Sequence, residues 1–124
     1  MPENKKTILI VEDDKFLKGL AEREFEKEGL SVITASEGDE AIRLAKEKTP
    51  NVILLDIILP GLDGYETLKL LKIDDITKRI PVILFTNLGS QEDIDSAKAL
   101  GADAFLIKAH NSLDDIVKKV KEYV

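Results

Sequence analysis

The sequence contains no cysteine, and this absence excludes several kinds of chemistry. Disulfide bonds, zinc sites with thiolate ligands and catalysis by a thiol are impossible, which leaves chemistry based on oxygen and nitrogen atoms. The sequence also lacks an apolar run long enough for a signal peptide or a membrane span, since its start, MPENKKTILIVEDD, holds only a short one. We therefore expect a cytoplasmic protein without membrane contact.

Positively charged residues are fewer than negatively charged ones. The chain has 18 lysines and arginines against 24 aspartates and glutamates, which gives a net charge of -6. Affinity for nucleic acid comes largely from lysine and arginine at phosphates, so we expect no direct binding to nucleic acid and a protein as partner. The 124 residues, of which 44% are hydrophobic and 34% charged, suit a single domain, residues 1–124, that folds without disulfide bonds.

Short apolar runs rich in β-branched residues alternate with helical patterns along the chain. The runs cover residues 7–11, 32–35, 52–55, 82–86 and 104–108. This alternation predicts an α/β fold, in which a doubly wound parallel sheet of five strands has helices on both faces. A flavodoxin-like strand order of 2-1-3-4-5 is a common solution, although periodicity does not select it.

Apolar stripes with helical spacing predict the helices. The first two stripes consist of Leu17, Leu20, Ala21 and Phe25, and of Ala41, Leu44 and Ala45. The apolar side of the last helix consists of Leu113, Ile116, Val117, Val120 and Val124. Asn111 or Ser112 is expected as its N-cap, and weaker patterns after Gly64 and after Ser90 predict two further helices.

The flavodoxin-like order has a consequence for where a ligand would bind. Strands one and three become neighbours where the winding of the sheet reverses, and the crevice beyond their carboxyl ends is the usual ligand site of such sheets. We therefore expect the functional residues directly after Val11 and Leu55.

Carboxylates follow both of these strands, Glu12, Asp13 and Asp14 after strand one and Asp56 after strand three. Carboxylates that converge in one crevice repel each other unless a proton or a cation intervenes. Oxygen ligands that are few and leave room for water and a phosphate suit Mg²⁺ better than Ca²⁺. Two plainer interpretations stay open, namely that Asp13 or Asp14 is the N-cap of the next helix and that Asp56 is an ordinary loop acid.

A hydroxyl and an ammonium end the other two strands at the same edge, Thr86 on strand four and Lys108 on strand five. A nucleophilic carboxylate, Mg²⁺, an ammonium that neutralises phosphoryl oxygens and a hydroxyl that donates to them are what an acyl phosphate on Asp56 requires. The plainer interpretation of Lys108 is a solvated side chain at a strand end.

Four segments carry these residues, and they read ILIVEDD, ILLDIILPGLDG, PVILFTN and GADAFLIK. With them the chain resembles the receiver domain of two-component response regulators over essentially its whole length. The resemblance implies self-catalysed transfer of a phosphoryl group to Asp56 from a sensor histidine kinase or a histidine phosphotransfer protein, rather than metabolic catalysis. It also implies a magnesium site in which Asp13 and Asp56 bind directly, Glu12 acts largely through water and the carbonyl of Ile58 completes the protein ligands.

The resemblance further implies a conformational switch that changes contacts with a downstream protein. Thr86 would move toward the phosphoryl group, and Phe105 would change rotamer on the surface formed by helix four and strand five. The plainer interpretation of Phe105 is core packing. Because the sequence stops after the fifth helix, output would come through protein contact or through a domain that is not part of this sequence.

The sequence departs from the family pattern at three places. Ala109 follows Lys108 where the family commonly has a proline with a cis peptide bond, which costs about 3 to 4 kcal/mol without proline. Asn87 stands where a smaller residue is usual. Ile58 and Leu88, two residues beyond Asp56 and Thr86, are apolar, and we hypothesise that they exclude water and slow the self-dephosphorylation of Asp56.

Two other functions fit the fold. A flavin electron carrier needs a turn after strand one that binds a phosphate through backbone N–H groups, and Glu12, Asp13 and Asp14 would repel that phosphate. A protein-interaction module that works without phosphorylation is the stronger alternative, because of Ala109 and Asn87. The single histidine, His110, is expected to lie exposed before the last helix, without a chemical role.

Overall fold

Five parallel strands form one sheet in the part of the chain that the computed structural model describes, residues 5–124. The strands are β1 (Thr7–Val11), β2 (Ser31–Ala35), β3 (Val52–Leu55), β4 (Val82–Thr86) and β5 (Ala104–Ile107). Their order across the sheet is β2-β1-β3-β4-β5, with every neighbouring pair parallel. The predicted flavodoxin-like order is therefore confirmed.

Helices cover both faces of this sheet. They are α1 (Lys15–Lys27), α2 (Gly38–Lys48), α3 (Gly64–Ile73), α4 (Gln91–Ala99) and α5 (Leu113–Lys121). The apolar residues form two core clusters, one between the sheet and α2, α3 and α4, and the other between the sheet and α1 and α5. Since both faces are covered, every residue of β3 and β4 is buried.

The predicted strand bounds differ from the structure in two places. β2 begins at Ser31, one residue earlier than expected, because the Ser31 N–H continues the pairing by donating to the Lys6 carbonyl at 2.8 Å. β5 ends at Ile107, so the prediction that Lys108 belongs to this strand is wrong. Lys108 opens a short 3-10 helix, Lys108–His110, and the Asn111 side chain donates to the Ile107 carbonyl at 3.0 Å, which closes the strand end.

Side chains at the helix starts decide two alternatives that the sequence left open. Asp14 is the N-cap of α1, where its Oδ1 accepts the N–H groups of Phe16 at 2.9 Å and Leu17 at 3.1 Å. Ser112, not Asn111, is the N-cap of α5, in a capping box with Asp115. None of the helices within residues 5–124 is long and apolar enough to cross a membrane.

Candidate functional site

Glu12 and Asp56 lie side by side where β1 and β3 end. Val11 pairs with Leu55 in the sheet, and the next residue on each strand is one of these two acids. The Asp56 N–H donates to the Val11 carbonyl at 3.1 Å, and the Glu12 N–H donates to the Ala35 carbonyl at 3.0 Å. Only 4% of Glu12 and 5% of Asp56 is exposed, so the sheet fixes both carboxylates in a buried position.

Asp13 completes an acidic cluster with these two residues. One carboxylate oxygen from each of Glu12, Asp13 and Asp56 lies within 4.8 Å of the others. Asp13 is exposed and so opens the cluster to solvent, while Asp14 is occupied as the helix cap. The set offers oxygen ligands only, on the solvent side of a buried pair, and this is the donor chemistry that Mg²⁺ prefers.

The Lys108 side chain reaches into the cluster from the other end of the sheet edge. Its Nζ lies 2.7 Å from Asp56 Oδ2 and 2.7 Å from Glu12 Oε1, with only 16% of the lysine side chain exposed. The same ammonium lies 5.7 Å from the centre of the Phe85 ring, within range of a cation–π contact. The interpretation of Lys108 as a solvated strand end is therefore wrong.

Burial and hydrogen bonding act in opposite directions on the charges of this cluster. Burial raises the pKa of Glu12, and hydrogen bonds from Lys108 and from the Asp14 N–H offset only part of that effect. Burial opposes the charge of Lys108, but its hydrogen bonds to Asp56 and Glu12 outweigh burial and raise the pKa of Lys108. The ammonium is therefore held charged, and the two buried carboxylates share it.

A tight loop fixes the backbone that follows Asp56. The Ile58 N–H donates to Asp56 Oδ1 at 3.1 Å, while the Ile58 side chain is 55% exposed beside the cluster. Gly64 closes this loop, because a Cβ at that position would lie 2.3 Å from Ile57 Cα and 2.4 Å from the Asp56 carbonyl oxygen. The glycine of the LDG segment is thus required for the close approach, and it holds Asp56 in place.

Thr86 ends β4 and is completely buried at the same edge of the sheet. Its Oγ1 accepts the Leu88 N–H at 3.4 Å, so the hydroxyl is engaged within its own loop. Leu88 and Phe105 are both half-buried against the core cluster under α2, α3 and α4. Phe105 therefore has the core packing of its plainer interpretation, and the rotamer change implied by the resemblance stays a prediction.

Ala109, which stands where the family commonly has a proline, does not displace Lys108 from the site. Within residues 5–124 no peptide bond is cis, and Lys108 nevertheless contacts Asp56 through the 3-10 turn. His110 is exposed at the end of that turn, as predicted, and Asn87 is exposed next to Thr86.

Among the long-range polar contacts that sequence reasoning missed, two connect elements of the fold that lie far apart in the sequence. The Tyr65 hydroxyl donates to Asp93 Oδ1 at 2.9 Å between α3 and α4. At the opposite edge of the sheet, Lys72 Nζ donates to the Ile80 carbonyl at 2.9 Å and to Asp103 Oδ2 at 3.1 Å. Asp93 lies 28 residues from Tyr65 and Asp103 lies 31 residues from Lys72, so no local pattern predicts these contacts.

Comparison with known proteins identifies the family of the chain. Residues 8–121 match the family described as the response regulator receiver domain. The chain belongs to this receiver family. Receiver domains are parts of two-component systems in which an aspartate takes a phosphoryl group, Mg²⁺ binds in the acidic pocket, and histidine kinases or phosphotransfer proteins are partners.

Individual receivers resemble the chain along most of its length. Sporulation initiation phosphotransferase F of Bacillus subtilis is 36% identical over 117 residues, which are 94% of this chain and 92% of that protein. The "Probable transcriptional regulator ycf27" of Guillardia theta is 36% identical over 106 residues, but these are 86% of this chain and 41% of the regulator. The chain thus spans less than half the length of that relative.

A solved receiver domain has the same fold and a metal. The receiver domain of the sensor histidine kinase PA1611 from Pseudomonas aeruginosa PAO1 superposes with a TM-score of 0.87 at 25% identity, covering 97% of this chain and 98% of that one. Its structure has a magnesium ion coordinated in the active-site cleft.

Proposed function

We propose that this receiver accepts a phosphoryl group on Asp56, with Thr86 and Lys108 binding the phosphoryl oxygens. Glu12, Asp13, Asp56 and the carbonyl of Ile58 would hold Mg²⁺. The observation that carries the proposal is the position of the Lys108 ammonium, 2.7 Å from both Asp56 and Glu12, next to the exposed carboxylate of Asp13. A carboxylate nucleophile, a fixed cation and a place for a second cation are thereby together.

The chemistry that these residues support is the transfer of a phosphoryl group from a histidine nitrogen to a carboxylate oxygen. A carboxylate oxygen of Asp56 attacks the phosphorus of a phosphohistidine whose other ring nitrogen carries a proton. The new P–O bond forms, the P–N bond breaks, and the histidine side chain leaves as neutral imidazole. Lys108 already contacts Asp56 Oδ2, so its charge is in place for the oxygens of the arriving phosphoryl group. A bound Mg²⁺ supplies further positive charge for those oxygens.

The net negative charge of the cluster favours the binding of a divalent cation. Glu12, Asp13 and Asp56 contribute three negative charges when ionised, and Lys108 contributes one positive charge, which leaves an excess of two negative charges. An incoming phosphoryl group adds further negative charge. One Mg²⁺ compensates the excess, whereas a second lysine would compensate only half of it.

Exposed apolar side chains beside the cluster support a protein as the phosphoryl donor. Phe16, in the first turn of α1, is 74% exposed, and Ile58 is 55% exposed. Both follow closely on acids of the site, Asp13 and Asp56. Apolar groups of this size bind another protein surface better than they bind a small phosphorylated molecule. We propose a sensor histidine kinase or a histidine phosphotransfer protein as donor.

The output of the phosphorylated state would be a change of protein contacts. Thr86 would turn from Leu88 toward the phosphoryl group, and Phe105, half-buried on β5, would follow on the surface that β5 shares with α4. Residues 1–124 would act as one receiver domain, with a downstream protein as target. Since kinases of this class draw on ATP, we place the protein in the cytoplasm.

Incubation with a small phosphoryl donor tests the proposal. Wild-type protein, Asp56→Asn and Asp63→Asn are each incubated with Mg²⁺ and either acetyl phosphate or phosphoramidate, and their intact masses are measured. Asp63 lies in the same loop and caps α3, a task that asparagine also performs, so its variant is a matched control.

We expect one added phosphoryl group on the wild type and on Asp63→Asn, and none on Asp56→Asn. A wild type that stays unmodified with both donors would favour the interaction module that works without phosphorylation. An equal adduct on Asp56→Asn would move the acceptor to another residue.

A further inference from the structure

Tyr65 connects α3 to the first turn of α4 through a single carboxylate. Its hydroxyl donates to Asp93 Oδ1 at 2.9 Å, and its ring is half-buried against the core. Asp93 also belongs to the capping box of α4, where its Oδ2 accepts the Ser90 backbone N–H at 3.2 Å and the Ser90 hydroxyl at 2.8 Å. Asp93 therefore fastens the N-terminus of α4 to α3.

The protonation of this pair makes the hydrogen bond a strong one. Burial, and then the contact with Asp93, raise the pKa of Tyr65 to about 12. Hydrogen bonds from Ser90 and from Tyr65 lower the pKa of Asp93 from its usual value. At neutral pH a protonated phenol thus donates to an ionised carboxylate, and such charge-assisted bonds are stronger than those between neutral groups.

The loop that joins this helix end to the candidate site has little freedom. Residues 87–89 connect Thr86, whose hydroxyl accepts the Leu88 N–H at 3.4 Å, to Ser90, the N-cap of α4. Gly89 lies next to the Ile107 side chain of β5, since a Cβ there would lie 2.6 Å from Ile107 Cδ1. A Thr86 hydroxyl that turns away from Leu88 gives up this hydrogen bond, which frees the loop and, through Ser90, the first turn of α4 to move.

We propose that Tyr65 is a positioning residue, whose hydrogen bond to Asp93 holds α4 and the loop of residues 86–90 in the resting conformation. The proposal rests on the proposed function, because it takes Thr86 as the residue that turns toward the phosphoryl group on Asp56. The proposal takes this bond to break when α4 moves, and a bond made only in the resting conformation draws the equilibrium toward that conformation. Removal of the Tyr65 hydroxyl therefore favours the phosphorylated conformation.

The two tyrosines of the sequence provide a variant and its matched control. Tyr65→Phe removes the hydroxyl but keeps the ring in the core, so folding is preserved. Tyr123→Phe removes the other tyrosine hydroxyl, which donates to the Asp103 carbonyl at 3.1 Å near the end of α5. Beryllofluoride with Mg²⁺ serves as a stable analogue of the phosphoryl group, and its affinity for each protein is measured by calorimetry.

We expect Tyr65→Phe to bind beryllofluoride about tenfold more tightly than the wild type, which is the low end of what the loss of one hydrogen bond to a charged acceptor corresponds to. Tyr123→Phe should bind with wild-type affinity. Backbone amides in the first turn of α4 should exchange hydrogen faster in Tyr65→Phe alone, in the absence of ligand. A purely structural role would lower stability without raising the affinity.

Two results would overturn the proposal, and they are distinguishable. If all three proteins bind beryllofluoride with equal affinity, or Tyr65→Phe binds more weakly, the Tyr65 hydrogen bond does not oppose the phosphorylated conformation. If none of the three binds beryllofluoride in the presence of Mg²⁺, the proposed function itself fails, and the role of Tyr65 falls with it.

Discussion

The Lys108 ammonium lies 2.7 Å from Asp56 Oδ2, and 2.7 Å from Glu12 Oε1. One side chain at the end of β5 thereby joins the residues that follow β3 and β1. Because all three groups are largely buried, the same contacts act on folding stability and on the proposed chemistry.

Replacement of this cation tests both effects. Lys108→Met leaves Asp56 and Glu12 buried without their shared partner, so the free energy of unfolding in EDTA should fall by about 3 kcal/mol. Phosphorylation by acetyl phosphate should slow by about a hundredfold, the usual effect of removing one group that stabilises developing charge. Chemical denaturation and mass spectrometry measure the two quantities. Lys118→Met, at an exposed lysine of α5, is the control, and a Lys108 variant that matched it in both assays would contradict this role.

Binding of Mg²⁺ should stabilise the protein through Asp13. At ten times the dissociation constant, the gain in the free energy of unfolding is about 1.4 kcal/mol. Asp13→Asn should lose most of this gain, because Asp13 supplies the exposed carboxylate of the cluster. Asp14→Asn should keep it, since asparagine caps a helix as well as aspartate does. Thermal unfolding at several Mg²⁺ concentrations compares the three proteins, and an equal loss in the two variants would speak against Asp13 as a ligand.

The apolar residues near Asp56 should lengthen the life of its phosphorylated state. Ile58 is exposed beside the acid and Leu88 is half-buried, and neither can orient a water molecule for attack. We expect phosphorylated wild type to decay about tenfold more slowly than an Ile58→Asn, Leu88→Glu variant that supplies polar groups. The phosphorylated fraction is followed by intact mass after the donor is removed, and circular dichroism checks the fold of the variant. Equal decay rates would refute the hypothesis.

The ionisation of Tyr65 should report its contact with Asp93. In Tyr123→Phe protein, where Tyr65 is the single tyrosine, ultraviolet absorbance should show a pKa of about 12. The additional change Asp93→Asn should lower this pKa toward the ordinary value of about 10, although burial keeps part of the rise. A pKa that does not respond to Asp93→Asn would contradict the hydrogen bond.

The same shift makes folding stability depend on alkaline pH. Because the folded pKa of Tyr65 lies above the unfolded one, the folded state binds more protons between them. The contribution of Tyr65 to stability is therefore complete below about pH 10 and is lost as the pH rises through about 12.

Much of the sheet could be predicted because its signals are local. Continuous apolar runs rich in β-branched residues predicted the strands, and the carboxyl ends of β1 and β3 predicted a site at Glu12, Asp13 and Asp56. Local patterns could not predict which of Asp13 and Asp14 caps α1 and which joins the acidic cluster, and only the family resemblance assigned Asp13 to the metal. Both residues suit a cap and a ligand equally, and only the backbone direction at the start of α1 turns Asp14 to the helix and leaves Asp13 in the cluster.

Individual side-chain contacts between distant parts of the chain could not be predicted from the sequence in detail. Lys108 was placed within one residue of its strand end, but its burial against Asp56 depends on the 3-10 turn that replaces the expected strand residue. Tyr65 reads as an ordinary helix residue until α4 is packed beside α3 and brings Asp93 to its hydroxyl. Side-chain pairing of this kind is decided by the packing of helices, which periodicity alone does not specify.

Identification of the phosphorylated residue tests the central claim most directly. The protein is incubated with Mg²⁺ and phosphoramidate or acetyl phosphate and then treated with borohydride, which reduces a phosphorylated aspartate to homoserine, and its peptides are sequenced by mass spectrometry. We predict homoserine at position 56 in the wild type and at no position in Asp56→Asn. Homoserine at another acidic residue, or none in the wild type with either donor, would contradict the claim that Asp56 accepts the phosphoryl group.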